Sequence, residues 1–451
     1  MRVTHLSLTD FRNYAEAEVP FGPGPNLIVG RNGQGKTNLV EALGFLSTLG
    51  SHRVSQTGAM VRAGVESAII RARLEYNGRD ILTEVQINRS GLNRAQVNRS
   101  VIKTRDLPRY FSSVLFAPED LALVRGDPSG RRRFLDQLLT LRSPRLSGVL
   151  TDYDRVLRQR NTLLKSARAA GVKTNQLGTL EIWDERLVAL GSEIIDERAE
   201  LVRQLLPPLN AAYRAVAGAD HGPNLVASLS ILGADEESEQ AGSPETAPPA
   251  GGSDTADAFR AALAGLRRKE LDRGMTLAGP HRDDLVFELN NLPAKGYASH
   301  GESWSFALAL KLASAELLRR DSSSGDPVLI LDDVFAELDQ SRRRRLAAAV
   351  TGYEQVLITA AVFEDVPAVL AAHAIHIHAG AVVDGPASDH IHAGAVVDGP
   401  ASDHIHAGAV VDGPASDHIH AGAVVDGPAS DHIHAGAVVD GPAIETGRDR
   451  G

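Results

Sequence analysis

The chain has 451 residues, 43% hydrophobic and 23% charged, with no cysteine and a formal net charge of −10. This length allows two or three domains with an ample core, and the lack of cysteine excludes disulfides and thiolate metal sites. No apolar run approaches the roughly 20 residues of a membrane span and no basic-then-apolar leader opens the chain, so a soluble cytoplasmic protein is expected.

The charge is unevenly placed. Residues 375–451 carry eleven acids and two arginines, which leaves the other 374 residues at −1. The body is therefore near neutral and can still present local basic faces.

In chain order, residues 2–8 and 15–21 alternate like an antiparallel pair. Pro25-Asn26-Leu27-Ile28-Val29 reads as a short buried strand. Gly30-Arg31-Asn32-Gly33-Gln34-Gly35-Lys36-Thr37 follows, fitting G-x-x-x-x-G-K-[ST]. Leu39, Val40, Leu43 and Leu46 then recur at helical spacing, so the loop opens a helix. Glycines allow close backbone approach, and the helix start directs free N–H groups and positive dipole at an anion. Lys36 is expected to reach the β- and γ-phosphates and Thr37 to hold Mg²⁺. A nucleoside triphosphate site is the prediction.

Residues 65–75 and 80–88 read as strands joined through Asn77-Gly78, a strong hairpin signal. Val114-Leu115-Phe116-Ala117 is a short buried strand closed by Pro118. From Gly130 the period turns helical, with breaks expected at Ser143-Pro144, near Gly171 and at Pro207-Pro208. The pattern predicts two or three long helices forming an arm, a short antiparallel hairpin being one arrangement. Residues 234–256 are acidic and rich in Pro, Gly and Ser, and are expected to be a disordered loop. A helix at 256–270, a strand at 284–289 and a helix at 302–319 follow.

Ser299-His300-Gly301-Glu302 precedes that last helix. Its Ser299 and Gly301 make either an N-cap or a second anion site. Pro327-Val328-Leu329-Ile330-Leu331-Asp332-Asp333 is an apolar strand delivering two carboxylates. Asp332 suits the Mg²⁺ of the phosphate loop, and Asp333 is placed to orient or deprotonate the attacking water. Thr359, ending the apolar run 355–359, is expected near the γ-phosphate. From Ile375 a 14-residue unit repeats five times. Its first copy can close the body as a strand and the rest read as a loosely ordered tail. Its ten histidines, in His-x-His pairs, could bind a metal adventitiously, but no further ligands fix a geometry.

The succession of phosphate loop, helical insertion, Ser-x-Gly-Glu helix, Asp-Asp strand and Leu-Asp is similar to an ABC-type head. The predicted fold is α/β: an ABC/SMC-type P-loop ATPase head with an inserted α-helical arm. Residues 1–128 and 271–380 form the two parts of the head, 129–270 the arm, and 381–451 the repetitive tail.

Specific segments narrow the resemblance. They are Phe11-Arg12-Asn13-Tyr14, the loop from Gly30 to Thr37 with Asn38, Leu115-Phe-Ala-Pro-Glu-Asp-Leu121, Arg131-Arg132-Arg133-Phe134-Leu135-Asp136, Gly279-Pro-His-Arg-Asp-Asp-Leu285, Ser299 to Glu302 and Val328 to Asp339. Together they resemble the RecF family of recombination and gap-repair ATPases, relatives of the SMC proteins, over residues 1 to about 380. The resemblance implies an ATP-dependent homodimer that binds DNA at single-strand/double-strand junctions without sequence specificity. It also implies work with RecO and RecR to load RecA, and ties to replication restart and the SOS response. By the same resemblance Arg12 and Asn13 join the nucleotide site, and the enzyme activity is a weak DNA-dependent ATPase. Asp333, one methylene shorter than the glutamate of transporter-type sites, points to slow turnover. Arg131–Arg133, Arg342–Arg345 and Arg155, Arg158 and Arg160 are candidate phosphate contacts. A transporter ATPase subunit, another SMC-like ATPase and a P-loop phosphotransferase are the alternatives. The helical arm and Asp333 weigh against the transporter, and the late Asp-Asp strand against the phosphotransferase.

Overall fold

The structure, a computed structural model, describes residues 1–171, 178–233, 252–322 and 324–383, and the backbone of two dipeptides beyond them. The chain divides into two compact units, Met1–Ala387 and Ser388–Gly451. In the second, Val411–Asp412 pairs in parallel with Val425–Asp426, the same two positions of successive repeat copies. The rest of the predicted tail from residue 384 on lies outside the described residues.

The first unit opens with strands β1 (Arg2–Phe11), β2 (Tyr14–Pro20) and β3 (Gly24–Val29), then helix α1 (Lys36–Thr48). β1 and β2 pair antiparallel, as their alternation predicts, and β4 (Ser67–Tyr76) takes the other edge of β1. β4 returns as β5 (Arg79–Asn88) through Asn77 and Gly78, at φ 49° and 70°, the left-handed pair a tight hairpin demands. β6 (Arg94–Val97) and β7 (Ser100–Ile102) complete a six-stranded antiparallel sheet ordered β2-β1-β4-β5-β6-β7. Alternation leaves this sheet one apolar face, where Leu6, Leu8, Ile70 and Val85 share a core with Leu39, Leu43 and Leu46 of α1.

β8 (Ser113–Phe116) leads to α2 (Leu121–Arg125), α3 (Pro128–Arg142), α4 (Leu146–Ala169) and α5 (Gly178–Ala217). Next come β9 (Asn224–Ser228), α6 (Gly252–Arg273), β10 (Asp284–Leu289), β11 (Leu292–Pro293), the single turn α7 (Ala294–Tyr297) and α8 (His300–Asp321). The unit ends with β12 (Val328–Asp332), α9 (Gln340–Val350), β13 (Gln355–Ala360), β14 (Ala374–His378) and β15 (Ala381–Val383).

A second six-stranded sheet, β15-β14-β3-β13-β12-β8, is parallel apart from β15. Every residue of β12 and β13 is buried, which is why these strands read as unbroken apolar runs rather than alternating ones. Strands from both ends of the chain interleave here. Their parallel direction brings the ends of β3, β12 and β13 to one edge, the usual ligand edge of such sheets.

Two expectations need correction. Pro207 and Pro208 do not break the helix, since α5 runs through them to Ala217. Each proline removes a backbone donor, yet Leu201, Leu205, Leu209 and Tyr213, on either side, are buried in the largest core with α8. That burial outweighs the local defect. The helix expected at 256–270 starts at Gly252, so the end of the predicted disordered loop is helical, while 234–251 lies outside the described residues. The first repeat copy closes the body as expected. β14 pairs with β3, and Ile375 and Ile377 are buried in the core.

Candidate nucleotide site

The loop from Gly30 to Gly35 joins the end of β3 to the start of α1, with its apex at Arg31–Gly33 exposed. Gly35 has φ +113°, and a Cβ there would lie 2.7 Å from the Tyr14 hydroxyl and 2.8 Å from Asn13 Nδ2. A Cβ on Gly30 would lie 2.4 Å from the Ile377 carbonyl of β14. The motif needs glycine at both places because other backbone or side-chain atoms already fill the space. Lys36 is buried and its Nζ donates to the Arg31 carbonyl at 3.3 Å, so the ammonium lies folded back over the loop. Asn13 Nδ2 donates to the Gln34 carbonyl at 3.2 Å, and Asn38 Nδ2 to Asn13 Oδ1 at 2.7 Å. Arg12 makes a bidentate pair with buried Glu41, at 2.8 and 2.5 Å. Asn13 therefore touches the loop, and Arg12 is anchored beside it.

Below the loop, the parallel register sets Asp332 opposite Thr359. Asp332 Oδ1 accepts the hydroxyls of Thr37 at 3.1 Å and Thr359 at 2.6 Å. The same Thr359 oxygen accepts the Asp333 N–H at 2.9 Å. Burial pushes the Asp332 carboxyl up to about 6, and neighbouring Asp333 adds to this while the two hydroxyls pull it back. Asp333 is half-buried with φ 51°, turned out of the strand. A hydroxyl and a carboxylate meeting at a phosphate loop are hard oxygen donors that suit Mg²⁺, which takes few protein oxygens and keeps its waters. Among the described residues no cluster of three or more His, Cys, Asp or Glu could hold a metal.

With this geometry in view, comparison with known proteins is decisive. A family profile described as the RecF/RecN/SMC N terminal domain matches residues 2–372. The DNA replication and repair protein RecF of Clavibacter michiganensis subsp. michiganensis is 70% identical over 392 residues, covering 86% of this chain and 97% of that one. The chain belongs to the RecF family. The RecF of Leifsonia xyli subsp. xyli is 69% identical, covering 85% of this chain and all of its own. That of Streptomyces avermitilis is 51% identical, with 85% and 99% covered. A solved structure described as the recombination mediator protein RecF-ATP in the RecFOR pathway aligns at TM-score 0.74 and 28% identity, covering 84% of this chain and 96% of that chain.

The remaining expected residues of this RecF-family chain lie elsewhere. Ser299 caps α8, its Oγ accepting the Glu302 N–H at 3.2 Å while its own N–H donates to Glu302 Oε2 at 2.8 Å. A Cβ on Gly301 would come within 3.1 Å of three atoms of the Arg342 guanidinium, which pairs with Asp339 at 2.8 Å. Ser299 and Gly301 thus sit with α9, and among the described residues neither has a hydrogen bond to the phosphate loop.

The arginines divide. Arg160 is fully buried, held by Asp184 and Glu270 at 2.7 Å each, and Arg131 is buried in a bidentate pair with Asp284 at 2.7 and 2.8 Å. Neither is available as a phosphate contact: each neutralises carboxylates inside the fold. Arg345 donates to the Ala217 carbonyl at 2.8 Å, and Arg343 to those of Phe335 and Leu338. Arg133, Arg155, Arg158 and Arg344 are exposed.

Sequence reasoning assigned nothing to His281, Glu41 or His52. His281 Nδ1 meets the Tyr153 hydroxyl at 2.7 Å, and burial lowers its pKa to about 4, so it is a neutral pin between the arm and the 279–284 loop. Glu41 carried only a helical position as its signal. His52 followed α1 with no pattern around it, yet folds to within 3.8 Å of Asp332, where burial lowers its pKa.

Proposed function

We propose that this protein is an ATP-switched DNA-binding protein of replication and recombinational repair. Two copies close on ATP, hold DNA at single-strand/double-strand junctions, and act with RecR and RecO in loading RecA. Slow hydrolysis resets the clamp. The names of its relatives and the RecF-ATP structure support the repair role and ATP binding. The observation that carries the chemistry is the Thr37–Asp332–Thr359 cluster beneath the phosphate loop.

Loop N–H groups and Lys36 bind the phosphates. Thr37 and Asp332 hold Mg²⁺, which when bound screens phosphate charge. Asp333 orients or deprotonates water, and the Ser299–Gly301 helix start caps the nucleotide of a second copy. The exposed arginines supply salt-dependent, sequence-independent DNA contact. No helix among the described residues is long and apolar enough to cross a membrane, in keeping with a cytoplasmic place of work.

The test is retention of gapped DNA by wild type and Lys36→Ala, with and without ATP, across a salt series. ATP-dependent, salt-sensitive retention lost in the variant is expected. Retention indifferent to ATP would refute the switch.

A further inference from the structure

The nucleotide site contains an imidazole that neither the sequence motifs nor the cluster above account for. His52 Nε2 is buried without a hydrogen-bond partner. It lies 3.8 Å from Asp332 Oδ2, the carboxylate oxygen not taken by the two threonine hydroxyls, both of which donate to Oδ1. A separation of 3.8 Å is too long for a direct hydrogen bond, and one oxygen set to the side of the pair can bond to both atoms.

The loop that delivers His52 is tied down on both sides. Ser51 Oγ accepts the N–H groups of Arg53 and Val54 at 2.9 and 3.1 Å and donates to Glu41. Arg53 Nη1 donates to Asn38 Oδ1 at 2.9 Å, one residue past the phosphate loop. The imidazole is thus fixed between α1 and the end of β12. His52 Nε2 shares with the Tyr14 hydroxyl, which lies against Gly35, the state of a buried polar atom left unpaired at this site, and such an atom beside a carboxylate points to a ligand there.

We propose that His52 is a positioning residue for the cation: Nε2 and Asp332 Oδ2 together hold one water, which belongs to the shell of the Mg²⁺ that Thr37 and Asp332 bind. The inference rests on the ATP–Mg²⁺ reading above and adds a residue to it. His52 then acts on cation binding and leaves the phosphate cradle to the loop.

The experiment uses the full chain with a fluorescent ATP analogue, titrated with Mg²⁺ or held in EDTA, and compares wild type, His52→Leu and His52→Gln, with melting temperatures as the folding control. If wild-type binding does not depend on Mg²⁺, the underlying reading fails whatever His52 does. Given that dependence, His52→Leu is expected to raise the half-saturating Mg²⁺ concentration by about tenfold, the usual scale for losing an outer-shell partner. Binding in EDTA and the melting temperature should stay unchanged. His52→Gln, whose amide donor can reach the Nε2 position, should recover most of the Mg²⁺ affinity. Three results would overturn the proposal: an unchanged Mg²⁺ midpoint in His52→Leu, an equal loss of binding in EDTA, or a His52→Gln variant as defective as His52→Leu.

Discussion

Thr359 offers the sharpest test of how the cation site is held together. One hydroxyl donates to Asp332 Oδ1 at 2.6 Å and accepts the Asp333 N–H at 2.9 Å, on a strand with no exposed residue. Thr359→Val keeps the volume and removes both bonds. A hydrogen bond to a charged group contributes about 1.5–3 kcal/mol, and a buried N–H left unpaired costs about 1–3 kcal/mol. Because one hydroxyl makes both, the two are not independent, and a combined loss of about 3 kcal/mol is expected. The lost hydroxyl also removes one of the interactions that pull the Asp332 carboxyl downward, so Mg²⁺ competes with a proton at higher pH than before. Urea denaturation gives the stability change, and Mg²⁺ titration of nucleotide binding at neutral and mildly acidic pH gives the second effect. Thr359→Ser, which keeps the hydroxyl, should show little of either. A valine variant within about 0.5 kcal/mol of wild type, the ordinary scatter of harmless substitutions, with unaltered Mg²⁺ dependence would refute the reasoning.

Four further outcomes are expected. Gly35→Ala forces a Cβ to 2.7 Å from Tyr14 Oη at φ +113°, so nucleotide binding should weaken by roughly 5- to 150-fold, the equivalent of strain of about 1–3 kcal/mol; binding within twofold of wild type would contradict this. Arg160→Ala strands Glu270 and leaves Asp184 with Arg267 alone in the arm and should lose about 3–5 kcal/mol in a denaturant melt, with DNA retention per folded molecule unchanged. His281, with its folded pKa lowered to about 4, stays neutral in the fold while the unfolded chain protonates below about 6.5. Its contribution to stability is therefore intact above pH 6.5 and lost as pH falls toward 4, by about 1.4 kcal/mol per pH unit; His281→Gln should flatten that part of the denaturation profile. Asp333→Glu should speed single-turnover hydrolysis if the missing methylene limits it, and an unchanged or slower rate would dismiss that explanation.

The nucleotide loop was legible in sequence because its chemistry is local. Consecutive residues must supply glycine conformations, a lysine and a hydroxyl, and the flanking strand and helix announce themselves by period. The Asp332–Asp333 strand was legible for the same reason. Pro207-Pro208 misled because local propensity was read without the core beneath α5. The arginines misled in the opposite way: Arg131 and Arg160 look like surface charge until Asp284, Asp184 and Glu270 arrive from distant segments. His52 carried no pattern and Glu41 only a helical position, since their partners are brought by the fold.

By itself, then, the sequence determined the elements, the phosphate loop, the order of the two head segments and the resemblance to the RecF family, all properties carried by contiguous residues. Only the tertiary structure decided which charges are spent inside the fold, that the first repeat copy closes the central sheet, and that Thr37, His52, Asp332 and Thr359 converge. Each of those depends on segments far apart in the chain meeting, at the edge of the central sheet for the nucleotide cluster and between the arm helices for Arg160, and the buried parallel strands leave no trace of their neighbours in their own residues.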